Sequence, residues 1–297
     1  MSDDARRRHY ADFYDGVDED AGPLGVVLGN CQAESLRLAI DGAGARFVRV
    51  PAVHELVADD LPHLERLLGR VEVLVAQPIR DDYHGLPLGS RQVLARTAAA
   101  RTAIVPVIRF AGLYPWQAIV RPPADPSLVP PVVPYHDLRV LAEAAGSPLP
   151  PTASAERIRA VGAASLDELR RRERHHDAVV ISDALERPAF AAMRTLNHPG
   201  NPVWEALAER VHAHLGLPGA TQQLPRQVLD AIHAPRERSV IEAWGLDDEP
   251  VEHWIVGGGV VEVERVRAAH LDWYREHPEV VSAGLARHAA TLQELAR

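Results

Sequence analysis

The sequence predicts an α/β protein: an N-terminal parallel sheet with flanking helices, followed by a mainly helical C-terminal half. Three observations carry that prediction. Between residues 24 and 108, short apolar runs alternate with helical periods, as in a parallel sheet whose crossovers are helices. A proline-rich stretch from Gly112 to Pro134 interrupts the alternation. Beyond it, apolar residues recur at helical spacing, with one hairpin signal among them. Residues 1–22 read as a polar leader, 23–134 as the sheet domain with its proline-rich crossover, and 135–297 as a mainly helical region completing the same active site.

The elements follow in order. The leader is charged, strongly acidic from Asp15 to Asp20, and reads as a loose leader or as one packed in a short arm. Leu24, Val26, Val27 and Leu28 form a run suited to a fully buried strand, ended by Gly29. From Ala33 the period changes: Leu36, Ala39 and Ile40 share one helix face, and Gly42 and Gly44 offer a stop. Arg46–Val50 is a second strand, and Asp60 with Pro62 starts a helix carrying Leu61, Leu64 and Leu68. Val71–Ala76 is a third strand, Ser90 caps a helix through Ala98, and Ala103–Ile108 is a fourth strand.

The stretch Gly112–Pro134 carries Tyr114 and Trp116 and is expected to be extended, either lining a cleft or connecting along the surface. Ser154 begins a helix to about His176 whose charge run, Arg170–Arg174, reads as a solvated face or as arginines that meet a phosphate. Thr195–Pro202 is a polar turn in which Asn201 caps the next helix. Residues 254–263 form a hairpin about Gly257-Gly-Gly, and two helices split by Pro278 close the chain.

Composition excludes several function classes. At 297 residues, 46% hydrophobic and 25% charged, the chain can bury a sizeable core. No apolar run approaches the about 18 residues of a membrane span, and the first residues lack the apolar core of a signal peptide. A cytoplasmic protein is expected, and a single cysteine fits a reducing compartment. A net charge of −9 argues against nucleic acid as a partner. The sequence contains no lysine, which excludes a Schiff-base or P-loop lysine and leaves anions to arginine and backbone amides. No Gly-x-Gly-x-x-Gly follows a strand and no His-Glu-x-x-His occurs, so neither a dinucleotide site nor a catalytic metal is expected.

The chemically suggestive residue is Cys31, where the first strand turns into its helix. A helix N-terminus favours a thiolate and offers N–H groups to an oxyanion, and Asn30 and Gln32 add side-chain amides. In parallel sheets ligands bind beyond the carboxyl ends of the strands, which adds Gln77, Arg80, Asp81 and Tyr83 after the third strand and Arg109 and Phe110 after the fourth. Two arginines and several amides facing one thiol suit an anionic ligand. His198, in a rigid proline-containing loop, is placed to act as a base, while the adjacency of His136 and Asp137 proves no dyad.

Five segments, Gly29-Asn-Cys-Gln, Gln77-Pro-Ile-Arg-Asp-Asp-Tyr, Gly112-Leu-Tyr-Pro, Tyr135-His-Asp and Thr195-Leu-Asn-His-Pro, together resemble the WcbI-type family of capsular-polysaccharide biosynthesis acetyltransferases. The resemblance implies a coenzyme A site, with acetyl-CoA as acyl donor and a hydroxyl-bearing, saccharide-like acceptor. It places Cys31, Gln32, Gln77, His136 and His198 around one site, and leaves either histidine as base. Phosphate contacts made by lysine elsewhere fall here to arginine, with Arg80 and Arg109 the candidates.

The leading expectation is therefore an acetyl-CoA-dependent O-acetyltransferase with Cys31, His198 and His136 catalytic and Asn30, Gln32, Gln77, Arg80, Tyr83 and Arg109 holding the cofactor. The alternatives are an esterase or thioesterase using Cys31 with water as acceptor, and a non-catalytic CoA-binding protein. Acceptor, acyl chain length and oligomeric state stay open, an oligomer included.

Overall fold

The computed structural model describes residues 3–18, 22–42, 44–122, 124–218 and 223–296. Its chain packs as two compact units, each assembled from three stretches: Met1–Val107, Arg170–Ala184 and Asn201–Val228 in the first, Ile108–Leu169, Leu185–Gly200 and Leu229–Arg297 in the second. The sequence blocks 1–22, 23–134 and 135–297 therefore do not coincide with the packed units. The reason is that helices and loops distant in sequence return to cover the sheet.

The first unit holds the parallel sheet. Strands β1 (Leu24–Leu28), β2 (Arg46–Val48), β3 (Val73–Ala76) and β4 (Arg101–Ile104) are all parallel, in the order β2-β1-β3-β4. Every residue of β1 and β3 is buried, as covering both faces requires. On one face Val26, Leu28 and Leu74 pack with Leu64, Leu67 and Leu68 of helix Leu61–Leu68 and with Val93 of helix Ser90–Leu94. Helix Cys31–Ile40 lies against β1, and helix Asn201–Leu215 lies against both that helix and β4.

One expectation shifts here and one open reading is decided. The fourth strand, read at 103–108, lies at 101–104: Val105 still donates to Ala76, but Pro106 has no N–H with which to continue the ladder. Of the two readings of the leader, the packed short arm is the one the structure shows. Helices Asp3–His9 and Ala11–Tyr14 bury Tyr10 and Phe13 in the same core, Arg6 pairs with Asp60 at 2.8 Å, and Tyr14 donates to Asp60 at 2.9 Å. Of the acidic run, residues 19 and 20 lie outside the described residues.

The second unit combines small antiparallel ribbons with helices. Gln117–Ala118 pairs with His136–Asp137, and Met193–Thr195 with His198–Pro199, so the polar turn that carries His198 is a tight, bulged hairpin. Ile232–His233, His253–Val256 and Gly259–Glu262 form a three-stranded ribbon. Its turn places Gly257 and Gly258 at φ +58° and +83°, the primed-turn geometry that glycine adopts without strain. The core gathers Trp116, Val120, Leu138, Leu141, Tyr274 and Val280. The closing segment is three helices, Val263–Glu276, Pro278–Arg287 and Ala289–Ala296, where the sequence suggested two.

Asn201 does not cap helix Asn201–Leu215. It is the first helical residue, and its side chain clips residues 226 and 228, donating to Arg226 O at 2.9 Å and accepting from Val228 N at 3.1 Å. Among the described residues, no helix is long and apolar enough to cross a membrane.

Candidate active site

In the first unit Cys31 is the first residue of its helix and is exposed, with Asn30 as the N-cap. The Asn30 side-chain oxygen accepts the Gln32 N–H at 2.9 Å, which satisfies one of the donors that a helix start leaves over. Gln77 reaches over from the end of β3. Its Oε1 accepts the Asn30 backbone N–H at 2.9 Å, and its Nε2 donates to Gln32 Oε1 at 3.2 Å. Gln32 is fully buried and Gln77 nearly so.

These amides thus brace the turn on which the exposed Cys31 stands. The expectation that the Gln32 side chain offers its amide to an oxyanion meets a physical obstacle in this burial. Gly29 makes the brace feasible, because a Cβ there would sit 2.4 Å from Gln77 Oε1. Ser90, read from sequence as a helix cap, instead receives the Ile79 N–H and donates to the Gln77 carbonyl, both at 2.7 Å, and Gly89 is the N-cap.

Arg80 and Tyr83 occupy the loop after β3. Arg80 is exposed with its guanidinium 5.9 Å from the Tyr83 ring centroid, and Tyr83 packs partly against the core. Asp82 and His84 take positive φ values of 53° and 52°, and Gln92 holds Asp82 through two hydrogen bonds.

In the second unit His198 lies on the hairpin, half-buried, with its Nδ1 enclosed and lacking a hydrogen-bond partner among the described residues. Burial, reinforced by the Arg194 guanidinium, pushes its pKa down to about 4, against an opposing hydrogen bond with the Ile232 backbone. The ring is therefore neutral at pH 7 and can accept a proton. Around it, Tyr135 donates to Asn197 Oδ1 at 2.8 Å and receives the Thr195 hydroxyl at 2.9 Å. The Tyr135 ring meets His198 edge-on at 5.9 Å. Phe110 N–H donates to Leu196 O at 2.9 Å, which brings the segment carrying Arg109 alongside this hairpin.

His136 is only 1% exposed, with Nδ1 2.6 Å from the Tyr274 hydroxyl. Burial, then charge repulsion with His270, Arg121 and His288, pushes its pKa down to about 3. Asp137 does not serve it: its carboxylate caps the next helix through Arg139 N and pairs with the Arg139 guanidinium at 2.6 Å. His136 stands on the wall of a cavity of about 740 Å³ that lies wholly within this unit. The sequence offered no sign of that cavity or of Tyr274, which sits 138 residues from its partner.

The structure thus brings Asn30, Cys31, Gln32 and Gln77 together, and separately Arg80 with Tyr83. In the second unit it brings Arg109's segment beside His198 and sets His136 in a buried aromatic cluster. Among the described residues, no group of three or more histidine, cysteine, aspartate or glutamate side chains is placed to hold a metal ion.

A family model described as polysaccharide biosynthesis enzyme WcbI matches residues 24–220. One similar solved structure is described as WcbI, a novel polysaccharide biosynthesis enzyme, in its native form without a disulfide bond between coenzyme A and one of its cysteines. The likeness has a TM-score of 0.75 at 17% identity and covers 92% of this chain and 97% of that one. No curated protein matches the sequence.

Proposed function

The chain belongs to the WcbI family of polysaccharide biosynthesis enzymes, and from that membership we propose that it is a cytoplasmic acyltransferase, moving an acetyl group from acetyl-coenzyme A to a hydroxyl of a saccharide or related acceptor. The observation that carries this reading is Cys31, an exposed thiol on the first turn of a helix, held by a buried amide brace. The related structure is described as lacking a disulfide bond between coenzyme A and one of its cysteines, and that mention of the two sulfurs together supports assigning the cofactor's sulfur end to Cys31. Acetyl-coenzyme A would supply an activated acyl group.

The chain's own residues take the following parts. Cys31 either accepts the acyl group or orients the donor, and the helix N-terminus favours negative charge on a carbonyl oxygen nearby. Asn30, Gln32 and Gln77 fix that turn. Arg80 and Arg109 provide the cations that phosphates need in a chain without lysine, and Tyr83 offers a flat apolar ring. His198 takes the proton of the acceptor hydroxyl, a part that its neutral ring permits. His136 is the weaker candidate for base because it is almost wholly enclosed and in contact with Tyr274.

The test is incubation with acetyl-coenzyme A followed by intact-mass and peptide mass spectrometry. An acetyl adduct on Cys31 that disappears on adding a saccharide acceptor, with the ester appearing on the acceptor, establishes covalent transfer. Full transfer by Cys31→Ala excludes that route. Thiol release without any acceptor reassigns the protein as a thioesterase, and tight coenzyme A binding without turnover makes it a binding protein.

A further inference from the structure

The proline-rich stretch ends in Pro130-Pro131-Val132-Val133-Pro134, whose prolines leave one place for the chain to turn. Pro130, Pro131 and Pro134 have φ locked at about −65°, and Val133, preceding a proline, is biased toward extended backbone. The reversal falls on Val132, at φ +70°. Across it the Val133 N–H donates to Pro131 O at 2.8 Å. A hydrogen bond spanning one residue of positive φ makes the rare, strained form of γ-turn, and a β-branched residue is among those least suited to it. Val132 is 37% exposed, so its own burial does little to offset that strain.

The turn is held by His270, from helix Val263–Glu276. Its Nε2 lies 2.9 Å from the same Pro131 carbonyl, and the ring also bonds with the Val133 backbone. Burial keeps the ring neutral at pH 7, and because a carbonyl only accepts, Nε2 carries the proton. His270 and Val133 are each 1% exposed, which anchors the turn in the core of the second unit. Two residues beyond Val133, Tyr135 donates to Asn197 at 2.8 Å and accepts from Thr195 at 2.9 Å, with its ring edge-on to His198. Pro134 stiffens the step between them, so a displacement of the turn is passed on to Tyr135.

We propose that His270 is a positioning residue: it pins the strained turn at Val132, and the pinned turn keeps Tyr135 on Asn197 and so fixes the hairpin that presents His198. The catalytic consequence rests on the acyltransferase reading; the pin itself does not.

The experiment compares the full chain with His270→Leu, Val132→Gly and the double variant. Leucine deletes the donor, and glycine takes a positive φ without strain and so needs no pin. His270→Leu is expected to lower the urea midpoint, and to lower it by less than half as much when Val132 is already glycine. His198, identified in histidine NMR titrations by the signal that His198→Gln removes, is expected to move from about 4 in the wild type up by about a unit or more in His270→Leu, and back in the double variant. The charges that act on His198 are Arg194 and His233, so the loss of His270 reaches it only through the hairpin. In acetyl transfer His270→Leu is expected to lose about tenfold or more in kcat with KM for acetyl-coenzyme A unaltered, and the double variant to recover most of it.

A midpoint loss of equal size in both backgrounds overturns the proposal. So does a His198 titration that His270→Leu leaves in place, or an unaltered kcat in that variant. Should His270→Leu fail to fold, a folded double variant supports the pin and an unfolded one overturns it. Absence of transfer by the wild type sinks only the acyltransferase reading, because unfolding and titration need no acyl donor.

Discussion

Gln77 accepts the backbone N–H of Asn30 at 2.9 Å, and this one contact ties the end of β3 to the turn that presents Cys31. The bond needs the bare Cα of Gly29 beside it. Gly29→Ala is expected to push the amide aside and leave a buried N–H without a partner, a cost of about 1–3 kcal/mol. Gln77→Ala should cost a similar amount by removing the acceptor. Urea unfolding measures both, and equal stability of either variant with the wild type would show that the brace contributes nothing.

Cys31 separates stability from activity. Its side chain is exposed, so Cys31→Ser should change unfolding free energy by less than about 0.5 kcal/mol. Under covalent transfer the same variant should lose at least about a hundredfold in kcat, because a hydroxyl lacks the nucleophilicity of a thiolate at neutral pH. Steady-state acetyl transfer to a saccharide alongside thermal unfolding checks both halves.

The buried histidines set an acid limit on the fold. His136 and His198 fall from an ordinary 6.5 to about 3 and about 4, so below pH 6.5 the unfolded chain takes up protons that the folded chain refuses. Stability is therefore complete above pH 6.5 and declines as pH drops toward 4. His136 alone contributes a slope approaching about 1.4 kcal/mol per pH unit. Unfolding midpoints between pH 7.5 and 4.5 should fall in the wild type, and the fall should be shallower in His136→Gln. An unchanged slope would mean that the ring is already charged in the native protein.

If His198 is the base, its lowered pKa also shapes the rate. The imidazole is ready to accept a proton at any pH above about 4, so the acid limb of kcat/KM should lie near that value rather than near 6.5. His198→Gln should remove the limb and lower kcat by about a hundredfold or more. A limb near 6.5 that survives in His198→Gln would assign the base elsewhere.

The sheet was legible because β1 and β3 are continuous apolar runs flanked by turn residues, and burial on both faces permits nothing else. The ribbon turn at Gly257-Gly258 was legible because positive φ at two successive positions calls for glycine. Cys31 could be placed at the turn from periodicity and Gln77 beside it from its place at a strand end, but not the hydrogen bonds by which Gln77 holds the turn or the part of Ser90, which arise only through tertiary contacts. Residues 198–199 form too short a strand to leave a pattern, and the packed arm Asp3–Tyr14 hides its Tyr10 and Phe13 anchors among charges. The cavity was invisible because its wall is drawn from segments more than a hundred residues apart.

Arg139 tests whether the cavity wall is built by charge or by packing. Its guanidinium joins Asp137 and Glu237 and lies 4.9 Å from the Trp116 ring centroid, a planar geometry that an ammonium cannot reproduce. Burial already raises the Glu237 pKa against the pull of Arg139. Arg139→Met should leave two partly buried carboxylates facing each other and cost about 2 kcal/mol or more, with Glu237 taking up a proton at higher pH than in the wild type. Arg139→Lys should restore charge but not the two-sided fork, and recover only part of the loss. Full recovery by lysine in urea unfolding would show that charge alone holds the wall, and full stability of the methionine variant that packing does.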